Sequence, residues 1–118
     1  MAEVHAVDGR AGVTLKITAD DTSNSLVTDG NLPMALVVSG TTFDRKFVIS
    51  AVTITCETNP LRFTFGVAAT QAGLGHVLTA GSSLKISNAA SINAFRYISQ
   101  NNGSAAVLQV TPEYIVSS

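Results

Sequence analysis

Val13-Thr14-Leu15-Lys16-Ile17-Thr18 alternates apolar and polar residues without a break. Successive side chains of an extended chain point to opposite faces, so Val13, Leu15 and Ile17 share one face and Thr14, Lys16 and Thr18 the other. That spacing predicts a half-buried β-strand. The same pattern returns downstream, where Leu61, Phe63 and Phe65 alternate with Arg62 and Thr64, and where Leu84 and Ile86 turn inward within Ser83–Ser87. Phe47 to Cys56 is the longest candidate strand, expected to carry Val48, Val52, Ile54 and Cys56 on one face with Ser50 interrupting it. Leu32 to Val38 is apolar on both faces, and Pro33 near its start removes a ladder donor, which suits a strand entry or an edge.

The punctuation between these segments is that of a β protein. The chain holds thirteen Thr, twelve Ser and nine Gly, which favour pleated surfaces and turns over helices. Asp20 to Ser25 reads as an exposed loop, and Glu57-Thr58-Asn59-Pro60 as a breaker, because the residue before Pro is pushed out of the helical region. Val67 to Gly75 reads as a long connection. Gln100-Asn101-Asn102-Gly103, between Ile92–Ile98 and Ala105–Thr111, reads as a hairpin-type turn in which Asn-Gly accepts positive φ. Only Ala68–Ala72 and Asn88–Ala94 admit a helical turn. Seven or eight short strands with no long helix predict an all-β, jelly-roll-like β-sandwich in a single domain, spanning residues 13–118. Residues 1–12 read as an N-terminal arm, flexible or partner-bound. The expected core is Val13, Leu15, Ile17, Leu36, Val38, Val52, Ile54, Phe63, Phe65, Leu84, Ile86, Leu108 and Val110.

Composition narrows the function classes. The 118 residues include 46 % hydrophobic and 13 % charged residues, and the net charge is −1. A disordered chain needs higher charge and fewer apolar groups. No basic field is present to hold a nucleic-acid backbone, so no nucleic-acid partner is expected. No apolar run approaches the ~18 residues of a membrane span, and Met1–His5 lacks the basic start and apolar stretch of a signal peptide, so no membrane partner is expected either. A single cysteine, Cys56, forms no intramolecular disulfide and falls short of a zinc site.

The residues able to carry chemistry are few. His5 and His76 are the only neutral-pH bases, and His5 falls in the arm. His76 paired with Cys56 would make a thiol dyad; the plainer expectation is a loop-end histidine beside a strand and a small buried thiol. Asp20-Asp21 is the only adjacent carboxylate pair, and without the glycine and final glutamate of a calcium loop it reads as solvated. Gly73-Leu74-Gly75 lacks the Lys-Ser/Thr of a phosphate loop. Seven aromatics and no Trp leave no evident stacking platform, although Phe43, Tyr97 and Tyr114 are the candidates for one. No catalytic, cofactor-binding or metal residue is expected, and the protein reads as a non-enzyme without cofactors. Strand faces rich in Ser, Thr and Ala are cheap to desolvate, and edges thinly defended by Lys or Pro favour packing against other proteins, including further copies of the chain.

The second half has a further cadence. Asn59-Pro60-Leu61-Arg62-Phe63-Thr64-Phe65-Gly66 is followed by Gly75–Leu84, then Ile92–Ser99, then Gly103–Thr111 and Glu113-Tyr114. This order of strands and turns, over about residues 47–115, resembles small β-rich virion proteins of tailed bacteriophages, of the capsid decoration or cement type. The resemblance implies a virion structural protein on the capsid exterior, made in the host cytoplasm. It further implies that the protein bridges and stabilises major capsid subunits, which are then its partner. Val4, His5, Ala6 and Val7 in the arm are the expected contact residues, with Gly9 and Gly12 as hinges, because an extended segment can add a strand to a neighbour's edge. The alternative is a tail-associated or host-recognition module that binds carbohydrate.

Overall fold

The computed structural model describes residues 9–38, 45–71 and 73–116. Its strands are β1 (Gly9–Ala11), β2 (Leu15–Ala19), β3 (Asn24–Ser25), β4 (Ala35–Val38), β5 (Arg45–Thr58), β6 (Leu61–Phe65), β7 (His76–Leu78), β8 (Ser83–Ile86), β9 (Phe95–Ser99) and β10 (Ala106–Val116). One helix, α1 (Ala89–Ala94), precedes β9, and the Asn88 side chain accepts from Ser91 N at its start. The fold is mostly β, in two curled antiparallel sheets. In the larger sheet β10 and β5 run side by side; β1 and β2 pair with the outer edge of β10, and β4 and β8 with that of β5. The smaller sheet has the order β3-β9-β6-β7.

The pairings nest. β2 pairs with β10, β3 with β9, β5 with β8, and β6 with β7. Each inner pair closes before the next one out, so the chain behaves as one long hairpin rolled across two sheets. Rolling creates corners. Asn59 turns the chain from β5 to β6 with φ 57°, and its Nδ2 donates to Ala105 O at 3.0 Å. Gly103, with φ 78°, closes a tight turn in which Ser104 N donates to Asn101 O. The expected hairpin is therefore only local: β9 and β10 leave that turn into different sheets.

The core lies between the sheets. Ala106, Leu108, Val110, Pro112 and Tyr114 of β10 are all buried and alternate with half-buried residues. They meet Val52, Ile54 and Cys56 of β5, Leu61 and Phe63 of β6, and Phe95 and Tyr97 of β9. Pro112 lies inside a strand paired on both sides, where its missing N–H would ordinarily cost a ladder bond. Its carbonyl accepts from Gly12 N at 2.8 Å, in the gap between β1 and β2. The position thus keeps one of the two bonds that an antiparallel pair exchanges, and the ring nitrogen forgoes the other. A Cβ on Gly12 would stand 2.6 Å from the Tyr114 ring, so this crossing is open to glycine alone.

The face assignment expected for the long strand is corrected. Val52, Ile54 and Cys56 are buried, but Val48 is exposed while Phe47 and Ile49 are buried. The partner residues explain the switch: Glu113 pairs with Ala51 and Tyr114 with Ile49, which leaves Ser50 as an extra residue on β5. Such a bulge changes which parity faces inward. Two further core expectations fail. Val13 is 80 % exposed because it falls between β1 and β2, and Phe65 is 46 % exposed because it closes β6. Leu15, Leu36 and Leu84 pack only partly against the core, whereas Ile17, Val52, Ile54, Phe63, Ile86, Leu108 and Val110 are buried. The side chain of Val38 lies outside the described residues.

Two short strands, β1 and β3, arise where an arm and a loop were expected. Gly9–Ala11 is held on Glu113–Ile115. Among the described residues of 68–72 no helix forms.

Candidate functional site

Cys56 and His76, the pair considered for a thiol dyad, sit in different sheets. Cys56 lies on the inward face of β5, and its thiol donates to Asn59 O at 3.0 Å. Burial pushes that thiol up from its ordinary value, which favours its protonated form. His76 opens β7 on the smaller sheet, where its ring lies 5.4 Å from that of Phe63 in a tilted contact. Among the described residues no three His, Cys, Asp or Glu side chains gather as metal ligands.

Among the described residues, Asp21 is the most connected carboxylate. Its Oδ1 accepts from Gln71 Nε2 at 2.9 Å, Gly103 N at 3.0 Å and Ser99 Oγ at 3.1 Å. These donors come from the β6–β7 connection, the β9–β10 turn and the end of β9. The Gly103 N–H, with the Gln71 amide next, holds the carboxyl below its ordinary value. Arg62 secures the same connection from below, donating to Gln71 O at 3.2 Å and Gly75 O at 2.9 Å. The Asp20-Asp21 loop thus ties the β6–β7 connection, the β9–β10 turn and the end of β9 together at one end of the fold. Asp20 Oδ1 accepts from Thr22 N at 3.0 Å and closes its own turn.

Among the described residues, two apolar surfaces remain uncovered. The first is a groove of about 420 Å³ between residues 11–15 and 33–37, floored by Tyr114. The Tyr114 hydroxyl donates to Pro33 O at 2.6 Å, which pins the strand entry across the end of the larger sheet. Val13 and Val37, at 80 % and 60 % exposed, form its rims with Leu15 and Leu36 between them. The second is a shallower depression, also about 420 Å³, where Phe65, Val67, Leu74 and His76 meet. The exposed Phe65 ring stands edge-on to Phe63 and Phe95, at centroid distances of 6.1 and 5.7 Å. Thr64 Oγ1 donates to Val67 O and bends the chain back over β6. Gly75, with φ 132°, lets β7 approach Phe63 O, against which a Cβ would stand at 3.1 Å.

No family model and no curated protein matches this chain.

Of the residues expected to make contacts, Val4, His5, Ala6 and Val7 lie outside the described residues, as does Phe43. Tyr97 and Tyr114 are both 1 % exposed and belong to the core. Among the described residues, the aromatic offered to solvent is Phe65. Its place as the last residue of the alternation, directly before Gly66, was the only local signal that it outlasts its cover. Val13 and Val37 carried no such signal, because the groove forms from segments distant in sequence.

Proposed function

We propose that this protein is a non-enzymatic structural component of a virion, a jelly-roll-like module that decorates a bacteriophage capsid and stabilises it by bridging major capsid subunits. The observation that carries the reading is the pairing of two apolar surfaces, uncovered among the described residues, with a charge-poor exterior, on a chain whose described carboxylates and thiol serve internal contacts. Such surfaces are suited to protein docking, since little charge must be desolvated. The nested order, with β2-β10-β5-β8 facing β3-β9-β6-β7, supports the jelly-roll form, an architecture shared by capsid and lectin domains. The virion role itself follows from the resemblance of residues 47–115, and fold alone does not determine function.

The test is binding of the purified protein to expanded capsids, followed by their heat resistance. Bound protein and a higher rupture temperature are expected. Capsids that neither bind the protein nor gain heat resistance would overturn the proposal. Removing residues 1–8 tests the arm separately, and equal binding by the shortened chain would exclude the arm alone. The exposed Phe65 ring beside His76 favours a second reading, a carbohydrate-binding module, because an open aromatic face with nearby polar groups suits a sugar ring. Specific binding on a glycan array, lost in Phe65→Ala, would select it.

A further inference from the structure

We infer that β4 is a self-association edge: two copies pair antiparallel along Ala35–Val38 about a two-fold axis, with Leu36 opposite Leu36 of the partner subunit.

The ladder phase decides which backbone groups are offered. Ile49 N donates to Met34 O at 2.9 Å, in the register that pairs Leu36 with Phe47. Met34, Leu36 and Val38 therefore turn their backbone groups toward β5, and Ala35 and Val37 turn theirs toward the open edge. Among the described residues no strand pairs with that edge. Its defences are also absent. Ala35-Leu36-Val37-Val38 carries no charge, no proline and no bulge, whereas the edge strands β2 and β8 carry Lys16 and Lys85. An open apolar edge is a template for another strand.

Each face beside this edge carries an apolar patch as well. On the outer face Ala35, Val48 and Ile115 stand in one cross-strand row, the latter two 40 % and 46 % exposed. On the inner face Leu36 opens onto the groove rimmed by Val13 and Val37. Placing Leu36 opposite its counterpart sets Ala35 opposite Val37, and these are the residues whose N–H and C=O point outward. The outer row then continues across the contact, and each groove meets the other.

Charge selects a second copy as the occupant. An uncharged strand pairs with itself without opposing like charges. The nearest described charges, Lys46 and Arg45, sit one strand inward, opposite Val37 and Val38. Three strand spacings separate the two Lys46 residues across the contact, about 14 Å, beyond the screening length at physiological salt. A two-fold contact of this kind is self-complementary and closes. The inference is independent of the virion role, so either can fail alone.

Sedimentation equilibrium over a concentration series tests it, alongside two variants. The parent chain should approach twice its 12.2 kDa mass as concentration rises. Val37→Lys should weaken association by about tenfold or more with an unchanged circular dichroism spectrum. Leu36→Cys should oxidise to a covalent dimer much faster than Lys16→Cys. Residues opposite each other in a non-hydrogen-bonded pair have Cα atoms about 4.5 Å apart, within disulfide reach. A parent that stays monomeric throughout, a Val37→Lys chain that associates as the parent does, or equal oxidation of the two cysteine variants would each overturn the inference. Association of a different protein with β4, displaced by Val37→Lys while the parent stays monomeric, would assign the edge to that partner instead.

Discussion

Ser50 Oγ donates to Glu113 O at 3.2 Å, at the point where β5 has one residue more than β10 opposite it. The hydroxyl satisfies a carbonyl at the irregular step of the ladder. Around this contact the inward face of β5 changes from Phe47 and Ile49 to Val52, Ile54 and Cys56, while β10 keeps Leu108, Val110, Pro112 and Tyr114 inward throughout. One extra residue reconciles two strands whose apolar patterns are out of step.

Deleting Ser50 should therefore be far more damaging than replacing it. The deletion would rotate Phe47 and Ile49 toward solvent, at roughly 1.5–3 kcal/mol for each side chain. Ser50→Ala should cost only about 0.5–1.5 kcal/mol, the net worth of one hydrogen bond. Urea unfolding monitored by circular dichroism distinguishes the two. Similar stability of the two variants would show that the bulge does not set the face.

Asp21 makes the stability of its loop end depend on acid. Its carboxyl is held below 3.8 in the folded chain, so the contribution is fully present above the ordinary carboxylate value. It is lost as pH falls from there through the lowered folded value. Asp21→Asn should flatten this acid limb, read as melting temperature against pH. It should also speed hydrogen exchange at Gly103 N–H, whose acceptor is weakened. An unchanged acid limb would count against the clasp.

Tyr97 makes the opposite prediction at high pH. Burial first, then the charges of Asp29 and Asp20, push its phenol up to about 12 from 10.0. Between those values the unfolded chain releases its proton before the folded one, so stability falls as pH rises through that window. Tyr97→Phe should reduce the alkaline loss. Tyr114, also raised by burial, keeps a remainder of it. Ultraviolet titration of the phenolates checks the order of ionisation.

Phe63 and Phe65 should differ sharply despite sharing one strand and a ring contact. Phe63→Ala empties a buried site and should cost about 3–5 kcal/mol. Phe65→Ala should lose mainly edge-to-face contacts, about 0.5–1.5 kcal/mol each. Val13→Ser, at an 80 % exposed position, should stay within about 0.5 kcal/mol of the parent. Thermal unfolding of the three variants ranks them.

What the sequence determined by itself was local. Alternation at Leu15–Thr18, Leu61–Phe63 and Leu84–Ile86, with breakers at Asn59-Pro60 and Asn102-Gly103, was enough to establish strands, turns and a mostly β fold. Period and turn chemistry are properties of neighbouring residues, and they survive without knowledge of what packs above them. Burial is different, because it depends on where the facing sheet ends. Val13 and Phe65 keep the apolar period yet stand exposed beyond the reach of a partner, and Val48 is turned out by a bulge whose cause lies 63 residues away at Glu113. Asp21 likewise read as one carboxylate of a solvated loop, since its donors Gln71, Ser99 and Gly103 are 50, 78 and 82 residues distant. The groove over Tyr114 and the open edge of β4 exist only once the rolled chain has brought residues 11–15, 33–37 and 114 together. No periodicity encodes that meeting, because it arises from strand pairing across the whole length of the chain.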